Sequence, residues 1–310
     1  MKPTVDIVVA TYNQENFVWE AVESAVNQNY ENLTVVVSDD GSTDRTPEIL
    51  KELKDKYSSR LHILVDQPRL GVTGNCNRFL SASTAEFIAF HAGDDILLPG
   101  KIEKQIDWFL ENKDGVLCGH DVEVFHSETG EKLYNYSEKT PMISGTGAEK
   151  FVEHKAIFCG VSVMMKSSSL PTYGYDESIK YSSDWLLWIE GLSSGGVFGY
   201  TPEILARYRR HDRSITVMHP TEILEEDWDV LSLVREKYPH LRASVKRREA
   251  RTLCVSGLES LIQGDGSSAR GYFLRSVKKM GRMKILLKSL AGLLLSILPV
   301  KLAKLIVSYR

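Results

Sequence analysis

The sequence predicts an α/β fold: a mainly parallel sheet flanked by helices, followed by a helical C-terminal region. Two observations carry this. Strand-like apolar runs alternate with helical patterns from residue 5 to residue 111, which is the mark of successive βαβ units with helices on both faces of the sheet. Two acid pairs, Asp39-Asp40 and Asp94-Asp95, each follow an apolar run, at 33–37 and 87–90. Carboxylates at the ends of parallel strands lie at the sheet edge where open α/β folds bind their ligands.

The elements follow in order. Residues 5–10 read as a buried strand, and 16–27 as a helix with Phe17, Ala21, Val22, Ala25 and Val26 at helical spacing. Residues 33–37 form a second strand. A helix over 46–57 is opened by Asp44 as a cap and by Pro47 in its first turn. A strand at 61–65, a glycine-started helix at 71–81, a strand at 87–90 and a helix at 99–111 with Pro99 in its first turn complete the alternation. Beyond it the pattern loosens. Strands are expected at 116–125, 158–165 and 204–208, with a polar, turn-rich stretch at 126–147. A helix over 184–192 takes its apolar side from Trp185, Leu186, Trp188, Ile189 and Leu192. From 221 onward the chain is mostly helical.

At 310 residues, with 43% hydrophobic and 25% charged residues, the chain has the composition of an ordinary globular protein with room for a full core. The net charge of −3 argues against a general nucleic-acid binder. Cys76, Cys118, Cys159 and Cys254 lack CxxC spacing, so free thiols in a reducing cytoplasm are expected rather than zinc or disulfides. The N-terminus reads straight into a strand without a signal-peptide hydrophobic region.

Adjacent acids repel unless a cation or a donor offsets their charge. A divalent metal with a nucleotide phosphate supplies that offset, and the pairs therefore point to a nucleotide-dependent transferase. Val8-Val9-Ala10-Thr11-Tyr12-Asn13, then Ser38-Asp39-Asp40-Gly41-Ser42-Thr43-Asp44, Gly93-Asp94-Asp95, Ser183-Asp184-Trp185 and Tyr208-Arg209-Arg210-His211 occur in that order. Together they resemble the family 2 glycosyltransferases, across roughly residues 4–216. The resemblance implies the GT-A fold, inversion at the sugar's anomeric carbon, and a catalytic domain at 1–218. Its nucleotide-sugar half would span about 1–112 and its acceptor half about 113–218, ahead of a helical region at 219–310.

The resemblance also assigns roles. Asp40 would bond the nucleotide base, with Thr11 and Asn13 beside it; the competing role is an Asx-turn, for which Asp-Gly-Ser is well suited. Asp95 would hold Mn²⁺ or Mg²⁺, both suited to hard oxygen ligands, and Asp94 would bond the donor ribose or sugar; helix capping ahead of Pro99 competes. Asp184 would be the base that takes the acceptor hydroxyl's proton. Ser183 stands where many relatives carry a first acid, which leaves Asp184 as the single carboxylate; N-capping of its own helix is the alternative. His211 would complete the metal shell and Arg209 would meet the diphosphate, against a solvated basic turn. The segment 71–78 occupies the donor-binding glycine loop, with Asn75 as its candidate contact. Cys76 stands where many relatives have arginine, leaving Arg69 or Arg78 as substitutes. His91, His120 and Asp121 are candidates for the acceptor side, with a structural role competing.

From Arg275 to Arg310 there are nine Lys or Arg residues and no acid. The longest charge-free run there, residues 289–300, is 12 residues and contains Pro299, too short for the roughly 20 apolar residues of a bilayer span. A basic amphipathic helix lying on an anionic membrane fits instead, against ordinary packing on the catalytic domain or in a dimer. A polyprenyl-diphosphate-linked saccharide acceptor, a UDP-sugar donor, and a peripheral position on the inner face of the cell membrane in O-antigen or capsule synthesis are the corresponding expectations. Two other readings stand beside this one. A nucleotidyltransferase would carry a glycine- and basic-rich loop where Thr11-Tyr12-Asn13-Gln14-Glu15 stands. A non-catalytic saccharide- or membrane-binding scaffold would not need Asp40, Asp95 and Asp184 together.

Overall fold

β1 (Val5–Thr11) is buried along almost its whole length, as an apolar run with parallel neighbours on both sides must be. It pairs in parallel with β2 (Leu33–Asp39) on one edge and β4 (Phe87–Ala92) on the other. The structure is a computed structural model that describes residues 2–65, 68–155, 157–279 and 282–297. It divides into two compact units, one of Met1–Phe151 with Lys155–Val230 and one of Val152–His154 with Leu231–Arg310.

In the first unit, α1 (Val18–Val26), α2 (Thr46–Lys56), β3 (Leu61–Leu64), α3 (Gly71–Ala82) and α4 (Lys101–Glu111) follow the predicted alternation, and a two-residue strand that the sequence does not announce, β5 (Ile96–Leu97), precedes α4. α1 buries Val18, Ala21, Val22, Ala25 and Val26 against the sheet. The looser stretch holds β6 (Gly115–His126), β7 (Lys132–Asn135), α5 (Tyr136–Lys139), β8 (Gly145–Thr146), α6 (Glu149–Glu153), β9 (Met164–Lys166), α7 (Ser183–Leu192), β10 (Val197–Arg210), α8 (Ile215–Met218) and the start of α9 (Pro220–Lys237).

The sheet order is β3-β2-β1-β4-β9-β6-β10-β5, with β7 on β6 and β8 on β10. β1 to β4 are parallel, whereas β9 runs antiparallel between β4 and β6. The sheet is thus mixed beyond its N-terminal half, and the α/β layering with flanking helices is as predicted. β2 leaves β1 on one side and β4 returns on the other. The strand ends Thr11, Asp39 and Ala92 therefore flank the switch point, where a crevice opens at the carboxyl edge.

β10 is far longer than the five residues read from sequence. Pro202 interrupts its pattern, and the strand absorbs the proline in a register shift between Thr201 and Ile204.

A polar seam lies inside this unit. Lys101 is fully buried and donates to Gln105 Oε1 at 2.9 Å. Gln105 Nε2 donates in turn to the carbonyls of Cys118 and Ser162, at 2.7 and 2.9 Å. His91 bonds the Ala21 carbonyl through Nε2 at 3.1 Å, and His120 the Asp121 carbonyl through Nδ1 at 2.7 Å. Burial and then the nearby Lys101 ammonium hold the His120 imidazole well below its usual range. Asp121 accepts the Ser137 hydroxyl and backbone N–H. His91, His120 and Asp121 are interior groups, and the acceptor-side reading of them gives way to the structural one.

The second unit contains the remainder of α9, then α10 (Arg242–Gln263), α11 (Gly266–Lys278) and α12 (Met283–Leu295). Phe273 is its core residue: a Cβ added to Gly257 or Gly292 would fall within 2.7 Å of the Phe273 ring. Glu153 ties it electrostatically, accepting from Arg247 and Arg282 at 2.7 Å each.

Candidate functional site

The carboxyl ends of β1 and β2 are laced together. Asn13 adopts a left-handed backbone (φ 51°). Its N–H donates to Ser42 Oγ and its Oδ1 accepts from Thr43 N–H, both at 2.8 Å. Asp39 makes the Asx-turn, accepting from the Ser42 N–H at 2.9 Å and from its hydroxyl. Asp40 is thereby free of the turn. It crosses to α3 instead, where Oδ1 accepts from Leu70 N–H at 2.7 Å and Oδ2 from Gly71 N–H at 3.0 Å. A carboxylate over a helix N-terminus satisfies orphan donors and meets the positive end of the dipole. Arg69 and Arg78 stand 3.7 Å from it. Thr11 is buried beneath, its hydroxyl without a hydrogen-bond partner. Asn75 is spent inside the fold: its amide donates to the Ser38 carbonyl and accepts the Ser38 hydroxyl.

The second acid pair follows β4. Asp95 is 2% exposed and accepts from the backbone N–H of Arg209 at 3.0 Å. Burial first, then the Asp94 carboxylate, push Asp95 well above the usual carboxylate range. Asp94 Oδ2 is bonded to His211 Nε2 at 3.0 Å. The His211 ring lies against Phe17, with centroids 5.0 Å apart. The Arg209 guanidinium is occupied as well. It donates to the Asp94 carbonyl at 2.7 Å and to Glu20 at 2.5 Å, and it sits over the rings of Phe17 and Phe125. Capping ahead of Pro99 is not the role of either acid.

A carboxylate whose proton affinity is raised by a neighbouring like charge is also a carboxylate that favours a cation. Asp95 fits a divalent metal on that ground. Among the described residues there is no group of three His, Cys, Asp or Glu side chains placed to hold one. The protein would therefore supply Asp95 and leave most of the shell to other oxygens.

Asp184 sits in the first turn of α7 but does not cap it. Glu226 of α9 accepts from the backbone N–H groups of Lys180, Tyr181 and Ser182, at 2.7 to 2.9 Å, and so ties down the segment that leads into α7 from 44 to 46 residues away. Asp184 Oδ1 instead accepts the Tyr175 hydroxyl at 3.0 Å. It is exposed to solvent while protein crowds around its carboxylate. That crowding raises its pKa, opposed by the Tyr175 hydrogen bond.

Two thiols, buried Cys76 and half-buried Cys159, report where Asp184 lies. The Cys76 thiol is pushed up by burial, then by the carboxylates of Asp184 and Asp40. The Cys159 thiol is pushed up by burial, then by Asp95, with Asp184 contributing. The field of Asp184 thus reaches the neighbourhoods of both acid pairs. The structure brings Thr11, Asn13, Asp40, Asp94, Asp95, Asp184, Arg209 and His211 to one edge of one unit, and turns Asn75 inward.

The residues 6–174 match the model described as "Glycosyl transferase family 2". The chain belongs to that family. A glycosyltransferase of Methanocaldococcus jannaschii, itself uncharacterized, is 30% identical over 214 residues, covering 68% of this chain and 72% of the relative. An uncharacterized protein of Mycobacterium tuberculosis is 28% identical over 297 residues, covering 91% and 82% of the two chains. Among solved structures, Staphylococcus aureus TarS 1-349 in complex with UDP-GlcNAc superposes with a TM-score of 0.66 at 15% identity, covering 99% of this chain and 91% of that one. The last likeness is one of fold. The family 2 chain is thus a glycosyltransferase in which Tyr175, Glu226, Glu20 and Phe17 hold site residues. None of these four stood in a recognisable motif. The cue for Glu226 was an acid in the second turn of an otherwise unremarkable helix.

Proposed function

We propose that this glycosyltransferase moves a single sugar from a UDP-sugar to a hydroxyl of a saccharide acceptor, with inversion. The observation that carries the reading is Asp184: a partly desolvated, solvent-reachable carboxylate held by a tyrosine, within electrostatic range of the surroundings of both Asp40 and Asp95. The TarS structures with UDP-GlcNAc and UDP support the choice of nucleotide.

In this reading Asp40, its carboxylate already turned by two α3 N–H groups, accepts an N–H of the base on its remaining lone pairs. Thr11 and Asn13 shape the base's surroundings, and Asn75 holds the donor loop from within. Asp94, with His211, faces the ribose or sugar. Arg209 contributes charge beside the diphosphate rather than a free fork of donors. Asp95, joined by His211 if that ring exchanges partners, holds Mn²⁺ or Mg²⁺, whose chemistry is to neutralise charge on the departing diphosphate. Asp184 takes the acceptor hydroxyl's proton as that oxygen bonds the anomeric carbon. The bond from that carbon to the diphosphate breaks, and UDP leaves with the electron pair.

Calorimetry with UDP, GDP and dTDP, each with and without Mn²⁺, tests the donor site. UDP should bind best and at least about tenfold tighter with metal, a difference of about 1.4 kcal/mol. In Asp95→Ala the metal increment should vanish. Preference for GDP or dTDP overturns the choice of nucleotide. Metal-independent UDP binding overturns the role of Asp95.

The acceptor is read as lipid-linked, in the assembly of a surface polysaccharide such as O-antigen or capsule, because α12 carries an apolar outer face beyond the residues it packs inward, Ile285, Leu293 and Leu295. Ser289 and Gly292 face inward, with the Ser289 hydroxyl on Ser276 at 2.8 Å. Met283, Leu287, Leu290 and Leu294, spaced for a single face, are 43–70% exposed. No helix among the described residues is long and apolar enough to cross a membrane. Lys284 and Lys288 flank the leucines, and the sequence after Asp265 carries no acid. Such flanks repel a second copy and suit anionic headgroups, and they support the reading of a peripheral position on the inner face of the cell membrane. Residues 298–310, the rest of the expected basic tail, lie outside the described residues. The protein should co-sediment with phosphatidylglycerol vesicles and not with phosphatidylcholine vesicles. Leu287, Leu290 and Leu294 replaced together by Ser should abolish sedimentation and leave UDP affinity intact. Equal sedimentation of the triple variant rejects the membrane face.

A further inference from the structure

Tyr175 lies between elements, in a stretch without regular structure, yet it is 3% exposed and fixed at both ends. Its phenol donates to Asp184 Oδ1 at 3.0 Å. Its backbone is gripped by a single side chain from α3: Asn77 Oδ1 accepts the Tyr175 N–H at 2.7 Å, and Asn77 Nδ2 donates to the Tyr175 carbonyl at 3.0 Å. The same Nδ2 reaches Glu177 Oε1 at 3.2 Å. Gly174, with φ +72°, permits the close approach, since a Cβ there would meet Asn77 Oδ1 at 2.4 Å.

We infer that Tyr175 is a positioning residue for Asp184, and that α3 sets it through Asn77. The inference rests on the reading of Asp184 as the base. Three features support it. The phenol is the donor that Asp184 Oδ1 uses, and burial followed by the Asp184 charge keeps it protonated far into alkaline pH. Asp184 Oδ2 points past Gly160, where an added Cβ would stand 3.0 Å away. The absent side chain leaves that oxygen clear for an incoming hydroxyl, while Oδ1 is held. Finally, Asp40 caps the first turn of the helix whose second turn carries Asn77. One rigid element therefore spans from the donor-side carboxylate to the clamp on the base, so that the base keeps its place relative to the donor rather than floating with the irregular segment that precedes α7.

The role is distinguishable from packing. An O–H donated to a carboxylate favours its charged form, so its loss makes Asp184 harder to ionise. Tyr175→Phe keeps the ring and should shift the acidic limb of the kcat/KM profile upward by about half to one pH unit, because a solvent-reachable carboxylate recovers part of the lost bond from water. Donor KM and UDP affinity should stay within about twofold. Asn77→Ala, which releases the backbone but keeps the phenol, should lower kcat about tenfold at every pH by misplacing the base, again with UDP affinity retained as the check on folding. A Tyr175→Phe limb that superimposes on the wild type, with Asp184→Asn inactive, overturns the positioning role alone. An Asp184→Asn enzyme with full turnover removes the base and the positioning role together.

Discussion

Asp184→Asn should lower kcat by about 10² to 10⁴-fold, the range general base catalysis supplies, and leave UDP affinity within about twofold. The amide keeps the shape of the side chain and an oxygen for the Tyr175 hydroxyl, so the local arrangement survives. It cannot accept the acceptor's proton. Crowding raises the Asp184 pKa above the ordinary carboxylate range, with two measurable consequences. In the wild type, turnover should fall on the acid side with an apparent pKa above the ordinary aspartate range, since only the ionised carboxylate is a base. In the variant that limb should vanish from the residual rate. A desolvated carboxylate is also a burden on the fold near neutral pH, so the Asn protein should melt no lower than the wild type. Near-normal turnover, or an unchanged acid limb in the variant, refutes the role of Asp184; a collapse of Tm would assign it to the fold.

Lys101→Met should flatten the alkaline side of the stability profile. The ammonium is fully buried beside His91, His120 and Cys118, with Gln105 Oε1 as its hydrogen-bond acceptor, and burial brings it down to about 7. The unfolded chain holds that proton to about 10.4. Between those values the unfolded state binds more protons, so stability rises with pH through the window, and the full penalty of the buried charge is present below it. The difference is on the order of 3–5 kcal/mol for a group this buried. His91, brought to about 4, and His120 act at lower pH. The thiols of Cys76, Cys118 and Cys159 hold their protons longer folded than unfolded and therefore lower stability above about 8.5. Cys76 and Cys159 are common to both proteins and cancel in the comparison, whereas Cys118, which the Lys101 ammonium draws down, is held protonated longer in the Met variant and adds to the same trend. Urea melts at pH 6.5 and pH 8.5 should show the wild type gaining on the Met variant as pH rises. Parallel profiles would mean that Lys101 finds water or another partner and stays charged.

The parts of this molecule that repeat were legible from residues alone. Alternation of apolar runs with helical spacing located β1 to β4 and α1 to α4 to within a few residues, because each is stabilised by burying a periodic face. The acid pairs were legible for the same reason: they end strands, and strand ends meet at the sheet edge. The antiparallel insertion of β9 was not, because three residues of Met and Lys carry no record of their neighbours' direction. β10 was cut short by Pro202, where local chemistry argued against a strand and long-range pairing overrode it. In the site, the turn that competed for Asp40 fell to Asp39, and Asp40 was left to act at a distance. Adjacent carboxylates look alike in one dimension, and the turn picked one of them. Tyr175, Asn77 and Glu226 were invisible because each acts across a gap of nine to 98 residues, through hydrogen bonds that leave no periodicity behind.

Glu226 and its neighbour Asp227 change where this enzyme can be cut. Ending the polypeptide near residue 218, where the motifs and the strands run out, would discard the carboxylate on which the entry of α7 depends. It would also discard the partner of Lys155 and Ser182. Three backbone donors would be left bare just upstream of Asp184. A shortened enzyme intended for soaking or screening should therefore retain α9 through Val230, although that helix carries none of the family's recognisable sequence.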